Sequence, residues 1–432
     1  MRYTLSGMAD FLKKSVSMYH AAENVCAALR AEGYTELRES GRWQLRPGGR
    51  YFTTRNRSSV IAFDLPASGF APFAAVASHS DSPVFRLKQN AEISAAGKYT
   101  LLNAEKYGGG ILCTWLDRPL SAAGRVIVRT EKGLETRLID IGRDICVIPS
   151  LAIHMNRDVN DSNKLNAQTD MQALFGDDTA KGGLSRIVAE AAGVKEEDIA
   201  GSDLFLYSRV APSVWGDYIS AGRLDDLECA YTSLCAFTEA APSASVRMYC
   251  LFDNEEVGSG TRQGAASTLL RDVYERIAGA LGADAEDVRA ALASSFLVSA
   301  DNAHALHPNH PEKADAVNRP YMNEGIVIKF SANQKYTTDG ATNAIFAEIC
   351  RRAGVPVQYF HNRSDSAGGS TLGNIALRQV SVPAVDIGLA QLAMHSSWET
   401  AGVKDAEYMA KGLEAVYSSD IRMAEDGNWT ID

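Results

Sequence analysis

From about Ser220 onward, short apolar runs of strand length alternate with longer segments that have the apolar period of a helix. The strand-like runs are Val246–Phe252, Phe296–Ala300, Ile326–Phe330, Val355–Phe360 and Val385–Ile387. The helix-like segments are Leu227–Phe237, Thr261–Leu281, Ala341–Ala353 and Thr371–Val380. Such alternation is typical of a sheet covered by helices on both faces. The second half of the chain therefore predicts an α/β fold.

The first half has a different texture. A helical period spans about Ala9 to Glu32 and is followed by two strand-like runs, Val60–Phe63 and Phe73–Ala77. From about Val84 to Tyr207 the chain is mostly strand-like and punctuated by Gly and Asn, with a polar loop at Asp158–Asp170. We therefore expect one α/β domain, formed by residues 1–83 and 216–432, that is split after its second strand by an inserted β-rich domain of residues 84–215.

Composition excludes several classes of protein. The 43 basic and 53 acidic residues give a net charge of −10, whereas nucleic-acid binding calls for a basic patch. No apolar window is long enough for a membrane span, and the N-terminus lacks the features of a signal peptide. Seven scattered cysteines without a Cys-x-x-Cys pair favour free thiols in a reducing compartment. We expect a cytoplasmic protein without nucleic-acid or membrane partners.

Histidine and carboxylate residues follow several of the predicted strands. They are His79 and Asp81, the adjacent pair Glu255 and Glu256, Asp301, and His395. Because the carboxyl ends of strands in an open α/β sheet meet at one edge, these residues are expected to form a single site. Imidazole and carboxylate groups suit Zn²⁺ and similar divalent ions.

Individual roles follow from the residue types. Asp81 can accept a hydrogen bond from the second ring nitrogen of His79 and thereby set its tautomer. Of the two adjacent glutamates, one can bind a metal ion while the other acts as a base. Each pattern alone also fits a solvated surface, and only their coincidence at several strand ends favours a site. The histidine run at His304, His307 and His310 is interpreted as a polar loop beside the site, because Pro308 interrupts any helix there.

Longer motifs carry a resemblance that covers nearly the whole chain. They are Ser78-His79-Ser80-Asp81-Ser82-Pro83, Ile148-Pro149-Ser150-Leu151-Ala152-Ile153-His154, Arg223-Leu224-Asp225, Asp253-Asn254-Glu255-Glu256-Val257-Gly258-Ser259, Ser299-Ala300-Asp301, Gly325-Ile326-Val327-Ile328-Lys329 and Gln391-Leu392-Ala393-Met394-His395-Ser396. In these motifs the sequence closely resembles the M18 metallopeptidases, the aspartyl aminopeptidase family, and most nearly its bacterial members.

The resemblance implies a zinc-peptidase-like mixed sheet flanked by helices, with an inserted dimerisation domain and two Zn²⁺ ions, for which Co²⁺ or Mn²⁺ could substitute. The implied metal ligands are His79 and Asp301 on one ion, Glu256 and His395 on the other, and Asp225 bridging both. Glu255 matches the general base, and Asp81 matches the residue that orients His79. The assignment of Asp225 rests on the motif alone, since strand ends do not indicate it.

The resemblance also implies contacts outside the metal ligands. In family members the histidine matching His154 reaches into the active site of a neighbouring subunit, where it is a candidate oxyanion donor, and the subunits form dimers and commonly a dodecamer. Lys329 is a candidate partner for an acidic substrate side chain. The sequence departs from the family at Asp226, where Asn is usual, and at Ser397-Trp398, where Ile-Arg is frequent.

The expected function is release of N-terminal residues, preferably Asp or Glu, from peptides. Two alternatives use the same scaffold: an aminopeptidase for neutral residues, and a two-metal deacylase or amidohydrolase whose substrates lack a free α-amine. A third alternative is a non-catalytic, metal-stabilised protein. The presence of Glu255 argues against that alternative, because a structural metal site has no use for an additional base.

Overall fold

The computed structural model describes residues 1–432. The first segment of the chain forms α1 (Leu5–Lys14), α2 (Met18–Ala31), β1 (Thr35–Leu37), β2 (Arg50–Arg55), β3 (Ser59–Asp64) and β4 (Phe73–His79). The single helical period expected from Ala9 to Glu32 is two helices, which separate at Ser15–Ser17. Serine side chains compete with the backbone for hydrogen bonds, which favours a break at this point.

The middle segment forms β5 (Val84–Ala95), β6 (Tyr99–Tyr107), β7 (Leu120–Thr130), β8 (Gly133–Asp140), β9 (Ala173–Asp177), α3 (Gly183–Ala192) and β10 (Ile199–Ser208). Its strands make a six-stranded sheet in the order β8-β7-β10-β5-β6-β9, with antiparallel neighbours throughout. Apolar side chains of this sheet and of α3 form a separate core. The polar stretch Asp158–Asp170 lies outside regular structure, as predicted.

The last segment contains the remaining strands and helices. They are β11 (Ser213–Trp215), β12 (Tyr218–Ala221), α4 (Leu224–Glu239), β13 (Val246–Phe252), α5 (Leu269–Ala280), α6 (Ala285–Ala293), β14 (Phe296–Ala300), β15 (Ala303–His304), β16 (Ile326–Phe330), α7 (Gly340–Ala353), β17 (Val357–His361), α8 (Leu372–Ala376), β18 (Ala384–Gly388), β19 (Ala390–Leu392), β20 (Glu399–Gly402), α9 (Val403–Ser418), β21 (Ile421–Glu425) and β22 (Asn428–Ile431).

The helix predicted from Thr261 begins only at Leu269. Thr261 and Gln263 instead turn their side chains toward Asn254, whose Oδ1 accepts hydrogen bonds from both at 2.8 and 2.7 Å. These contacts keep residues 261–268 as a turn against the segment that follows β13. The helix predicted at Thr371–Val380 is likewise shorter, at Leu372–Ala376.

A nine-stranded mixed sheet organises the first and last segments. Its order is β1-β2-β3-β13-β4-β14-β18-β16-β17. One face packs against the cluster that includes α1, α2, α4, α7 and α9, and the other face packs against α5, α6 and α8. This arrangement confirms the predicted α/β class. The inserted sheet follows the fourth strand of the chain instead of the second, because the prediction missed β1 and the half-polar β2.

The parallel strands β13, β4 and β14 lie side by side near the middle of the nine-stranded sheet. Parallel neighbours bring their carboxyl ends to one edge, so the residues after Phe252, at His79 and after Ala300 lie close together. A five-stranded sheet in the order β11-β12-β20-β19-β15 continues this edge and carries the turn at His395 between β19 and β20.

The inserted sheet is anchored to α2 and to the turn between β2 and β3. The guanidinium of Arg125 lies 4.4 Å from the ring centre of Tyr19 and donates to the carbonyl oxygen of Asn56 at 3.0 Å. All seven cysteines are free, as predicted, and Cys113 alone is exposed. No helix combines the length and the apolar character needed to span a bilayer.

Candidate metal centre

His79, the last residue of β4, is 1% exposed. Its Nε2 lies 3.5 Å from Asp225 Oδ1, and its Nδ1 lies 3.0 Å from the carbonyl oxygen of Asp81 and 3.5 Å from Asp81 Oδ1. A proton on Nδ1 is therefore directed toward Asp81, which leaves the Nε2 lone pair facing Asp225. Asp81 was expected to act through its carboxylate, but its backbone carbonyl is the nearer acceptor.

The carboxylate of Asp81 contacts the segment after β13. Its Oδ1 accepts the backbone N–H of Glu255 at 3.1 Å, and its Oδ2 accepts the backbone N–H of Glu256 at 3.2 Å. Both glutamates belong to a short 3₁₀ turn, Glu255–Val257, which follows Asn254 in a left-handed conformation with φ 63°. Asp81 therefore fixes this turn as well as standing beside His79.

Asp225 lies at the centre of the site, at the first turn of α4, and is buried. Its Oδ2 lies 3.4 Å from His395 Nε2, and His395 Nε2 also lies 3.4 Å from Glu256 Oε2. Two groups of potential ligands result, and within each group the ligand atoms lie within 4.8 Å of one another. The groups are His79, Asp225, Asp226 and Asp301, and Asp225, Glu256 and His395. Asp225 belongs to both.

The hydrogen bonding of these carboxylates fits a pair of cations. Asp225 Oδ1, Asp226 Oδ1 and Glu256 Oε1 are buried and have no hydrogen-bond partner. A buried carboxylate oxygen without a partner is costly, because it has lost its water and gained nothing in return. The imidazole and carboxylate donors are of the kind that Zn²⁺ binds in proteins. The side chains present therefore fit divalent metal ions.

The titration behaviour of the site reflects the same crowding of negative charge. Burial raises the pKa of Glu256 well above its usual value, and the neighbouring Asp225 adds to this effect. Burial lowers the pKa of His79, but Asp225 and the other carboxylates outweigh it, so that the pKa lies well above its ordinary value. Burial likewise opposes ionisation of Asp225, but the two histidines lower its pKa below the usual range.

Glu255 is placed differently from the ligands. It belongs to neither of the two ligand groups, but it directly precedes Glu256 of the second group, and its backbone N–H is held by Asp81, which contacts His79 of the first group. Burial raises the pKa of its carboxyl to about 8, and Asp301 adds to the rise. A carboxyl whose pKa lies near neutrality can both accept and return a proton.

Lys329, at the fourth position of β16, is 2% exposed. Its Nζ donates to the carbonyl oxygen of Asp301 at 2.7 Å, and lies 4.0 Å from Asp301 Oδ1 and 5.2 Å from the ring centre of Tyr336. Burial lowers its pKa, but the carboxylate of Asp301 outweighs this effect and raises it overall. The structure thus puts a cation beside a candidate metal ligand.

His154 lies in an exposed loop of the middle segment and belongs to neither ligand group. The apolar side chains around it are exposed as well: Leu151 is 56%, Ile153 52% and Met155 75% exposed. Of the histidine run, His304 lies in β15 with its ring 6.0 Å from that of Phe360. His307 and His310 are exposed in the following loop, where the sequence predicted a polar loop.

Comparison with known proteins decides the family. The sequence profile of the aminopeptidase I zinc metalloprotease family, M18, matches residues 11–417. The chain belongs to the M18 family of zinc metalloproteases. The M18 family aminopeptidase 2 of Clostridium acetobutylicum is 46% identical over 423 residues, which cover 95% of this chain and 98% of that protein. That of Pseudomonas savastanoi is 38% identical over 427 residues, covering 96% and 98%.

Solved structures agree with this assignment. Ape4, in its complex with Nbr1, superposes with a TM-score of 0.93 at 35% identity, covering 96% of this chain and 85% of that one. The mApe1 dodecamer of S. cerevisiae gives a TM-score of 0.84 at 29% identity, with 95% of both chains covered. The resemblance to a bacterial M18 aminopeptidase is therefore confirmed, and this M18 protein is a metallo-aminopeptidase.

Three features of this M18 aminopeptidase site were not predicted. Asp226 joins the first ligand group, and its Oδ2 accepts the backbone N–H of His79 at 3.1 Å. Glu399 accepts the backbone N–H groups of two candidate ligands, Asp225 and His395. The carbonyl oxygen of Gly109 lies 3.4 Å from His395 Nδ1. The signals in the sequence were an additional carboxylate directly after Asp225, a carboxylate four residues after His395 and a glycine run after a strand.

Proposed function

We propose that this M18 protein is a two-zinc aminopeptidase that releases N-terminal residues, preferably Asp or Glu, from peptides. The observation that carries the proposal is the sharing of Asp225 by the two ligand groups. His79 and Asp301 would hold one ion, Glu256 and His395 the other, and Asp225 both; Co²⁺ or Mn²⁺ could substitute for zinc. When bound, such ions polarise the scissile carbonyl and lower the pKa of water at the site.

Glu255 is the general base in this proposal. It lies next to both ligand groups without belonging to either, and its raised pKa suits a group that accepts a proton from water and then donates it to the leaving amine. Asp81 supports this role from two sides. It holds the backbone N–H of Glu255 at 3.1 Å, and it directs the ring of His79 through its carbonyl oxygen at 3.0 Å.

The preference for an acidic residue rests on Lys329. An ammonium group has three N–H donors, and Lys329 directs one to the carbonyl of Asp301 at 2.7 Å and a second, more weakly, to that of Asn302 at 3.4 Å. In this proposal the third donor would bind a substrate carboxylate. Without the positive charge of Lys329, the many carboxylates of the metal centre would repel an acidic substrate side chain. A protonated α-amine, by contrast, is attracted by the same carboxylates.

Self-association is part of the proposal. The S. cerevisiae neighbour is a dodecamer. We propose that this chain likewise assembles as dimers and further as a dodecamer. Residues 84–215 would be the dimerisation domain, inserted between the two parts of the catalytic domain, residues 1–83 and 216–432. Exposed Leu151, Ile153 and Met155 surround His154 and would be covered by a neighbouring subunit. His154 would then donate to the oxyanion in the neighbour's site. The proposed location is the cytoplasm.

Hydrolysis of three matched substrates tests the proposal. An aspartyl amide, its N-acetylated form and a leucyl amide with the same leaving group are assayed with the zinc-loaded protein. The highest kcat/KM is expected for the free aspartyl amide, and Lys329→Met should reduce the aspartyl-to-leucyl ratio. A preference for the leucyl amide would establish a neutral aminopeptidase. Faster cleavage of the acetylated compound would establish the deacylase alternative.

A further inference from the structure

Tyr107 is the last residue of β6 in the inserted sheet, yet its hydroxyl lies at the metal centre of the nine-stranded sheet. The hydroxyl donates to Asp81 Oδ2 at 2.7 Å and accepts the side-chain Nδ2–H of Asn254 at 2.8 Å. Asp81 is 1% exposed, so this contact is shielded from water. Tyr107 thus contacts Asp81, which holds the backbones of Glu255 and Glu256, and also contacts Asn254, which precedes them.

We propose that Tyr107 is a positioning residue for catalysis, through which the inserted sheet holds Asp81 and the Glu255–Val257 turn in place. The inference rests on the roles proposed above for Glu255 and Glu256. Tyr107 is not itself a base or a ligand, and it acts only through the carboxylate of Asp81 and the side chain of Asn254.

The hydrogen-bond pattern gives the physical reason. Asp81 Oδ2 has two donors, the Tyr107 hydroxyl at 2.7 Å and the backbone N–H of Glu256 at 3.2 Å, and the hydroxyl is the closer. Without the hydroxyl, a buried carboxylate oxygen keeps only its longer contact. The carboxylate can then rotate, and the N–H groups of Glu255 and Glu256 lose a fixed acceptor. A misplacement of about 1 Å in such a site is enough to slow the reaction strongly.

Close packing of the Tyr107 ring and of the following glycine fixes the position of the hydroxyl. Its ring packs edge-on against Phe205 at 5.8 Å between ring centres. At the next residue, Gly108 with φ +72°, an added Cβ would lie 3.1 Å from Glu256 Cβ. Since the ring is held by apolar packing, Tyr107→Phe should remove the hydroxyl and leave the ring where it is.

Tyr207 offers a matched control in the same sheet. Its hydroxyl donates to a carboxylate oxygen, Asp140 Oδ1, at the same distance of 2.7 Å, but this pair lies outside the metal centre. Tyr207→Phe therefore removes an equivalent hydrogen bond and tests whether the loss of a tyrosine–carboxylate contact in the inserted sheet is by itself harmful.

The experiment compares wild type, Tyr107→Phe and Tyr207→Phe as full-length, zinc-loaded assemblies. For Tyr107→Phe we expect kcat to fall by about tenfold or more, while KM changes less than about threefold. Zinc affinity, measured by competition with a chromogenic chelator, should weaken by about tenfold. Tyr207→Phe should match wild type in all three. Equal kcat and zinc affinity in the two variants would overturn the inference, as would equal losses in both.

A second comparison separates this inference from the proposed function. If Tyr107 acts through Asp81, adding Tyr107→Phe to Asp81→Asn should reduce kcat little beyond the reduction caused by Asp81→Asn alone. If the two residues act independently, the reductions in kcat should multiply in the double variant, which would contradict the proposal. If Glu255→Gln retains full activity, the proposed mechanism fails, whatever the Tyr107 variant shows. If Glu255→Gln is inactive while Tyr107→Phe resembles Tyr207→Phe, only the inference about Tyr107 fails.

Discussion

Oε1 of Glu399 accepts the backbone N–H of His395 at 2.8 Å. The other oxygen of the same carboxylate accepts the backbone N–H of Asp225 at 3.1 Å. One buried side chain thus holds the backbones of two candidate ligands that belong to different parts of the chain, α4 and the turn before β20. Burial raises the pKa of Glu399 to about 8, and Asp225 adds to the rise.

Replacing this carboxylate should loosen both ligands. In Glu399→Gln one oxygen becomes an amide NH₂, which cannot accept the N–H that faces it. We expect zinc affinity to weaken by about tenfold and kcat to fall with it. Elemental analysis after dialysis against graded chelator measures the first effect. Glu407→Gln, at an exposed position of α9, is the control and should behave as wild type.

The two adjacent glutamates should separate under mutation. Glu255→Gln keeps the size of the side chain but cannot accept a proton, so kcat should fall by roughly 10²–10⁴ while zinc content is retained. Glu256→Gln should lose zinc and recover part of its activity in excess metal. Steady-state kinetics and bound zinc are measured for both. The reverse pattern would exchange their roles, and full activity in both would refute the mechanism.

Metal removal should affect stability as well as activity. Because Asp225, Asp301 and Glu256 crowd their charges when no cation compensates them, chelation is expected to abolish activity and to lower Tm. Addition of Zn²⁺, Co²⁺ or Mn²⁺ should restore both. Activity assays and scanning calorimetry are run on the same samples. Full activity in protein shown by elemental analysis to be free of divalent metal would contradict the two-metal proposal.

The role of His154 can be tested by complementation between subunits. His154→Ala and Glu255→Gln should each be nearly inactive when assembled alone. If His154 serves a neighbouring site, co-assembly should regain activity, because some sites then combine an intact Glu255 with an intact His154 from the neighbour. Arg157→Ala, in the same exposed loop, controls for disturbance of the loop. Persistent inactivity of the mixed assemblies, or a fully active monomer by light scattering, would refute the intersubunit role.

Asp405 should make stability depend on pH. Its buried carboxyl accepts the backbone N–H groups of Asn323 at 2.5 Å and Gly325 at 2.9 Å, and burial raises its pKa from 3.8 to about 7. The folded state therefore keeps a proton that the unfolded chain has lost, and the free energy of unfolding should fall by up to about 4 kcal/mol as pH rises from about 4 to about 7.

The measurement is Tm against pH for wild type and Asp405→Asn. The variant should be less stable overall, since an amide cannot accept both N–H groups, but its Tm should decline less between about pH 4 and about pH 7. Parallel Tm curves for the two proteins would show that Asp405 does not titrate in this range.

Several elements could be read directly from the sequence. The runs at Val246–Phe252, Phe296–Ala300 and Ile326–Phe330 are strands with the predicted ends. Apolar periodicity reports burial, and a strand that is buried on both faces shows it without interruption. The edge strand β1 and its neighbour β2, whose residues are mostly polar and only partly buried, lack that signal and were missed. The polar turn at residues 261–268 was mistaken for helix because its contacts are with Asn254, outside the segment.

The sequence by itself determined the α/β class and that His79, Glu255, Glu256, Asp301 and His395 lie at or shortly after the ends of strands. Strand ends could not show that Asp225 is shared by both ligand groups, since it begins a helix and only the family motif pointed to it. Tertiary structure alone decided the contacts of Tyr107 with Asp81 and Asn254 and of Glu399 with Asp225, because these join residues that are far apart in the sequence. Local sequence patterns encode which face of an element is buried, but which atoms then meet depends on how the sheets pack.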